Sequence, residues 1–164
     1  MKPLHIILFG LLFISLSLTS AACTSNSTQV DMPDENSPSN QEVTTIEIDN
    51  IGSNAYVILG IDGEGASANL NEENTELNLR IGDRFQFENV AGASNHPLNF
   101  RNSNRDKLLG QSNGDGLYDD DADVDVQFDG NNISFTLTSG LAAELNGYIC
   151  SFHPGMNGDI SVIE

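Results

Sequence analysis

Tyr148-Ile149-Cys150-Ser151-Phe152-His153-Pro154-Gly155-Met156 places a thiol, an imidazole and a thioether within seven residues, as Cys150, His153 and Met156. A soft thiolate, a borderline nitrogen and a weak thioether together suit copper that moves between its two oxidation states. Such a site needs a second imidazole. The chain holds three histidines. His5 lies in a segment expected to be removed, which leaves His96, in Ser94-Asn95-His96-Pro97, as the remaining candidate. Supply and demand for imidazole then match. The spacing Cys-x2-His-x2-Met lets one tight loop present three ligands, while His96 comes from elsewhere in the chain.

Outward from this loop the sequence has the texture of short strands. Tyr148 to Cys150 reads as the end of a core strand, and Ile160-Ser161-Val162-Ile163 as the closing one. Upstream, Ile46 and Ile48 alternate with polar neighbours, as do Leu77, Leu79 and Ile81, Phe85 and Phe87, Leu98 and Phe100, and Ile133, Phe135 and Leu137. Tyr56 to Ile61 is an apolar run interrupted by Gly60. Period-two alternation bounded by Gly, Asn and Asp marks half-buried strands, and many of them in succession indicate a sandwich or barrel. One short helix is expected at Leu141-Ala-Ala-Glu-Leu145, capped by Ser139 and ended by Asn146-Gly147. The expectation is an all-β sandwich with one short helix.

The N-terminus carries export chemistry. Lys2 is followed by an apolar run from Ile6 to Leu18, too short for a membrane-spanning helix. Thr19-Ser20-Ala21-Ala22-Cys23 then resembles a bacterial lipobox, although Ser20 stands where Leu is usual. That resemblance implies removal of residues 1–22 and a lipid thioether on Cys23, with cleavage leaving Cys23 free as the alternative. Residues 24–42 are polar, contain proline and have almost no large apolar side chains, so they read as a disordered tether. The domains expected are a signal peptide over 1–22, a tether with lipidated Cys23 over 23–42 and a folded domain over 43–164. The protein is then exported and held on a membrane, at a periplasmic or extracellular face.

Taken together, Gly82-Asp-Arg-Phe-Gln-Phe-Glu-Asn-Val90 with Ser94-Asn-His96, the loop from Tyr148 to Met156, and Gly158-Asp-Ile-Ser-Val162 resemble the cupredoxins, the small blue copper proteins of the plastocyanin and amicyanin type. The short ligand loop with Pro after its histidine is similar to that of the amicyanins. The resemblance spans roughly Thr44 to Glu164. It implies a Greek-key β-sandwich holding one type 1 copper, with His96, Cys150 and His153 in the plane and Met156 axial. It implies one-electron transfer between larger redox proteins by a monomer, not an enzyme. Many relatives carry Asn directly after the first histidine to tie the ligand loops together. Here Pro97 follows and Asn95 precedes, so Asn95 becomes the candidate for that bond.

Composition narrows the partners. Twenty-four acidic residues face six basic ones, a net charge of −18, which argues against nucleic acid as a partner and for a basic redox protein or a high-salt environment. Only two cysteines are present, too few for a disulfide-stapled export domain. Zinc is disfavoured by the thioether, and a catalytic copper enzyme by the lack of further histidines. A copper storage or delivery protein would use the same four ligands, and a metal-free surface domain would leave them idle. Asn113 to Asp125 alternates carboxylates with Gly in the manner of a calcium loop, but lacks the closing Glu and flanking helices. A solvated acidic loop able to dock a basic partner is expected there.

Overall fold

A computed structural model describes residues 42–111 and 114–164. The expected signal segment, the tether and Cys23 lie outside the described residues. In chain order the elements are β1 (Val43–Ile51), β2 (Ala55–Asp62), β3 (Ala66–Ala68), β4 (Leu77–Arg80), β5 (Arg84–Asn89), β6 (Leu98–Arg101), β7 (Lys107–Gly110), β8 (Gln127–Asp129), β9 (Asn132–Thr136), α1 (Ser139–Glu144), β10 (Gly147–Cys150) and β11 (Asn157–Ile163). The fold is an all-β sandwich with one short helix. One sheet runs β2-β1-β5-β9-β8 and the other β3-β4-β11-β10-β6-β7. Both sheets are mixed: β1 with β5 and β4 with β11 are parallel, and the remaining strand pairs are antiparallel.

The alternating residues of the sequence supply the inner faces. Ile46 and Ile48 from β1, Phe85 and Phe87 from β5, and Ile133 and Phe135 from β9 meet Leu77, Leu79, Leu98, Phe100 and Tyr148 of the other sheet in one core. Phe87 stacks on Phe135 with centroids 5.9 Å apart, and Phe100 meets both rings edge-on at 4.9 and 5.0 Å. Offset and edge-on aromatic contacts of this kind add to burial alone, and here they join the two sheets. Gly158 admits the Tyr148 ring, since a Cβ on it would lie 2.3 Å from the hydroxyl.

Three strands lie outside the runs expected from the sequence: β3, β7 and β8. The helix also begins and ends differently from its sequence reading. Thr138, not Ser139, is its N-cap, in extended conformation with its hydroxyl accepting from Leu141 N–H. Leu145 is the C-cap, and Gly147 already belongs to β10. Thr138 wins because Leu137 N–H still bonds Asp83 carbonyl, which keeps the chain extended up to that point.

Residues 114–125 form the expected loop, exposed along most of its length but bonded to the sheet at several points. Leu117 and Tyr118 N–H donate to Lys107 and Leu108 carbonyls along β7, Thr136 N–H donates to Val124 O, and Val124 is fully buried. The acidic side chains serve the chain itself. Asp119 accepts from Gly110 and Gly116 N–H, Asp121 from Asp123 and Val124 N–H, Asp125 pairs with Arg84 at 3.0 Å, and Asp115 pairs with Lys107. The Lys107 ammonium holds the Asp115 carboxyl below the usual carboxylate range. Short polar side chains bonding nearby backbone N–H groups explain how so acidic a stretch folds down.

Candidate metal centre

Strand register brings the two ligand segments together. Cys150 is the Cα partner of Leu98 in the antiparallel β6/β10 pair. The turn that precedes Leu98, carrying His96, and the loop that follows Cys150, carrying His153, therefore sit at one end of the sandwich. His96 belongs to a turn between β5 and β6, with its N–H donating to Gly92 O at 2.8 Å. Ser151 N–H then donates to Pro97 O at 3.0 Å, tying the loops directly. Asn99 Nδ2 adds a bond to Ser151 Oγ. Asn95 is exposed, and its N–H bonds Gly92 O. The structure thus runs the tie through Ser151 and Pro97.

Both imidazoles present Nδ1 to the thiol: His153 at 3.6 Å and His96 at 4.0 Å from Cys150 Sγ. The three ligand atoms all lie within 4.8 Å of one another. Metal bonds of about 2.3 Å to sulfur and 2.0 Å to nitrogen, opened to trigonal angles, separate S and N by about 3.8 Å. The His96-Cys150-His153 group can hold a metal ion with little rearrangement. Cys150 is a free, buried thiol, 2% exposed, and Phe152 N–H points at its sulfur from 3.4 Å. Met156 is fully buried. Its carbonyl accepts from Cys150 N–H and its own N–H donates to His153 O, so the loop closes on itself through backbone bonds. Among the described residues no other cluster of His, Cys, Asp and Glu could hold a metal ion.

Polar side chains that the sequence did not single out support these groups. Tyr56 OH and Asn89 Nδ2 both donate to His96 O, at 2.7 and 2.8 Å. Asn89 also bonds Gln111 Oε1, which in turn accepts from Leu98 N–H. The outer nitrogen of His96, Nε2, faces the Asn50 amide at 3.4 Å. Isolated amides of this kind leave no periodic trace in a sequence. Burial lowers the pKa of His96 below its ordinary value, and the His153 imidazole adds to this, against the opposing pull of Asp49. Both effects favour the neutral imidazole that binds metals. Burial pushes the Tyr56 hydroxyl up, and the neighbouring Cys150 sulfur pushes it further. It is a permanent hydrogen-bond donor rather than a titrating group.

No protein-family model matches this chain, and no curated protein matches it. The functional reading therefore rests on the geometry of the site.

Proposed function

We propose that the chain is a cupredoxin-type electron carrier that holds one type 1 copper through His96, Cys150 and His153, with Met156 as axial ligand. The observation that carries this reading is the pair of imidazole Nδ1 atoms converging on one buried thiol at the end of a rigid sandwich. Zinc sites of this class are completed by further Cys, His or carboxylate ligands. In this chain the loop offers a thioether instead, a donor suited to copper. Bound copper would supply a reversible one-electron couple. The residues do the rest. Cys150 is sealed from solvent, the strands and the Ser151–Pro97 tie keep the ligands in place, and half-buried His153 faces the surface as the electron port. Phe152, 59% exposed, and exposed Pro154 flank it as a contact surface for a larger redox protein.

The reading extends to an exported, lipid-anchored protein. Cys23 would carry the anchor, residues 24–42 the tether, and the acidic surface would attract a basic partner. The test is the visible spectrum of the protein loaded with Cu(II). An intense band near about 600 nm that bleaches on reduction, and that is missing in Cys150→Ser, is the expected result. A colourless wild-type protein would overturn the assignment.

A further inference from the structure

Asn74 lies in the turn between β3 and β4, with φ of +52°, a left-handed conformation uncommon for any residue but glycine. Its side chain makes three hydrogen bonds. Oδ1 accepts from Tyr56 N–H at 3.1 Å and from Asn157 N–H at 3.0 Å, and Nδ2 donates to Gly155 O at 3.0 Å. Its backbone N–H donates to Tyr56 O at 2.8 Å. An amide can make four such side-chain bonds, so most of its capacity is spent here. Gly155 and Asn157 are the two neighbours of Met156. Tyr56 is the residue whose hydroxyl reaches His96 O.

We propose that Asn74 is the positioning residue of the metal centre, a single amide that grips the chain on both sides of Met156 and fixes it against the strand that supports His96. This rests on the reading of Met156 as axial ligand. A thioether at an axial position is a weak donor, too weak to pull its own backbone into place, so its distance is set by whatever holds the flanking residues. That distance tunes the reduction potential of such sites. The left-handed backbone would be met equally well by glycine. Asparagine is needed only for the side-chain bonds, and two of the three go to the neighbours of Met156.

Two substitutions separate the roles. Asn74→Gly keeps the turn and removes all three side-chain bonds. Asn74→Asp keeps the shape and the acceptor, loses the Nδ2 donor and sets a carboxylate oxygen against Gly155 O. In the full chain without metal, amide exchange at Asn157 should accelerate about tenfold or more in Asn74→Gly, the effect of one lost hydrogen bond, while amides of β5 and β9 keep their protection. In the copper-loaded protein Asn74→Gly should raise the reduction potential, because a retreating thioether donates less to the oxidised ion, and both variants should change the symmetry of the copper EPR signal. Faster exchange in Asn74→Gly with an unchanged potential and EPR signal would reduce Asn74 to a purely structural brace and overturn the proposal. So would wild-type exchange at Asn157. Should Asn74→Gly fail to fold, Asn74→Asp decides through the EPR signal, since the charge of its carboxylate shifts the potential by itself: an altered symmetry supports the proposal and a wild-type signal overturns it. Failure of the copper reading itself shows separately, as a wild-type protein with no blue band.

Discussion

The carbonyl of His96 receives two hydrogen bonds, from Tyr56 OH and Asn89 Nδ2, and both donors are buried to within 1% of full enclosure. Removing either donor leaves the other in place. Tyr56→Phe should therefore cost only the net value of one hydrogen bond, about 1 kcal/mol. Asn89→Ala removes two bonds, to His96 O and to Gln111 Oε1, but it also withdraws an amide oxygen that has no partner, so about 1–2 kcal/mol is expected. The double substitution differs in kind, because it leaves the His96 carbonyl without either donor. The turn is half-buried, and an acceptor orphaned there costs up to about 1–3 kcal/mol beyond the lost bonds. The double mutant should accordingly fall below the sum of the singles by that amount, or by roughly 4–12 °C in Tm for a domain of this size. The assay is urea and thermal unfolding of the metal-free, reduced protein for all four members of the cycle. Additivity to within about 0.5 kcal/mol would refute the reasoning, by showing that solvent replaces the missing donors at the His96 turn.

Other substitutions probe other levels of the structure. Gly158→Ala sets a methyl 2.3 to 2.6 Å from the Tyr148 ring, which is fully enclosed. It should cost about 1–3 kcal/mol or more, read as a lower Tm. Phe135→Ala removes the ring shared by Phe85, Phe87 and Phe100 and should cost about 3–5 kcal/mol in denaturant unfolding. The pKa of His96 is depressed in the fold, so protonation favours the unfolded chain. Its contribution to apo stability is complete above the ordinary histidine value of about 6.5 and is lost as pH falls below it through the lowered value. Stability of apo His96→Gln should show a weaker fall over that acid window than wild type; an identical fall would assign it to other groups.

Much of the architecture was legible because alternation and burial are the same fact seen twice. Phe85 and Phe87, or Ile133 and Phe135, can point to one face only if the chain is extended, and both pairs lie in the core. The strands that escaped reading are those whose existence depends on a neighbour. Ala66-Ser-Ala68 and the exposed Gln127-Phe-Asp129 pair at sheet edges with little apolar content of their own. In β7, Leu108 and Leu109 are both buried because residues 117 and 118 bond along its outer edge, which erases the alternation. The exposed acidic loop shows a related limit. Its composition describes affinity for water, whereas its conformation follows from individual carboxylates meeting individual N–H groups.

The candidate site divides along the same line. Cys150 and His153 were readable because their chemistry is rare and their spacing local, and His96 because the chain offers so few imidazoles; these three converge in the structure. Asn74, Asn89 and Gln111 were not, since an amide has no chemistry that marks it as support until its partners are known. Yet these amides hold the backbone around the candidate ligands. Asn89 and Gln111 satisfy the backbone on either side of Pro97, which has no N–H of its own to offer, and Asn74 does the same on either side of Met156. The ligand segments are thus held by bonds from β2, from the end of β5 and from the turn before β4, rather than by one another alone. A centre braced from outside its own loops keeps its ligand atoms within 4.8 Å of one another by the fold alone. On the proposed copper reading, such a frame would resist change when the charge on a bound ion changes, the property a one-electron carrier requires.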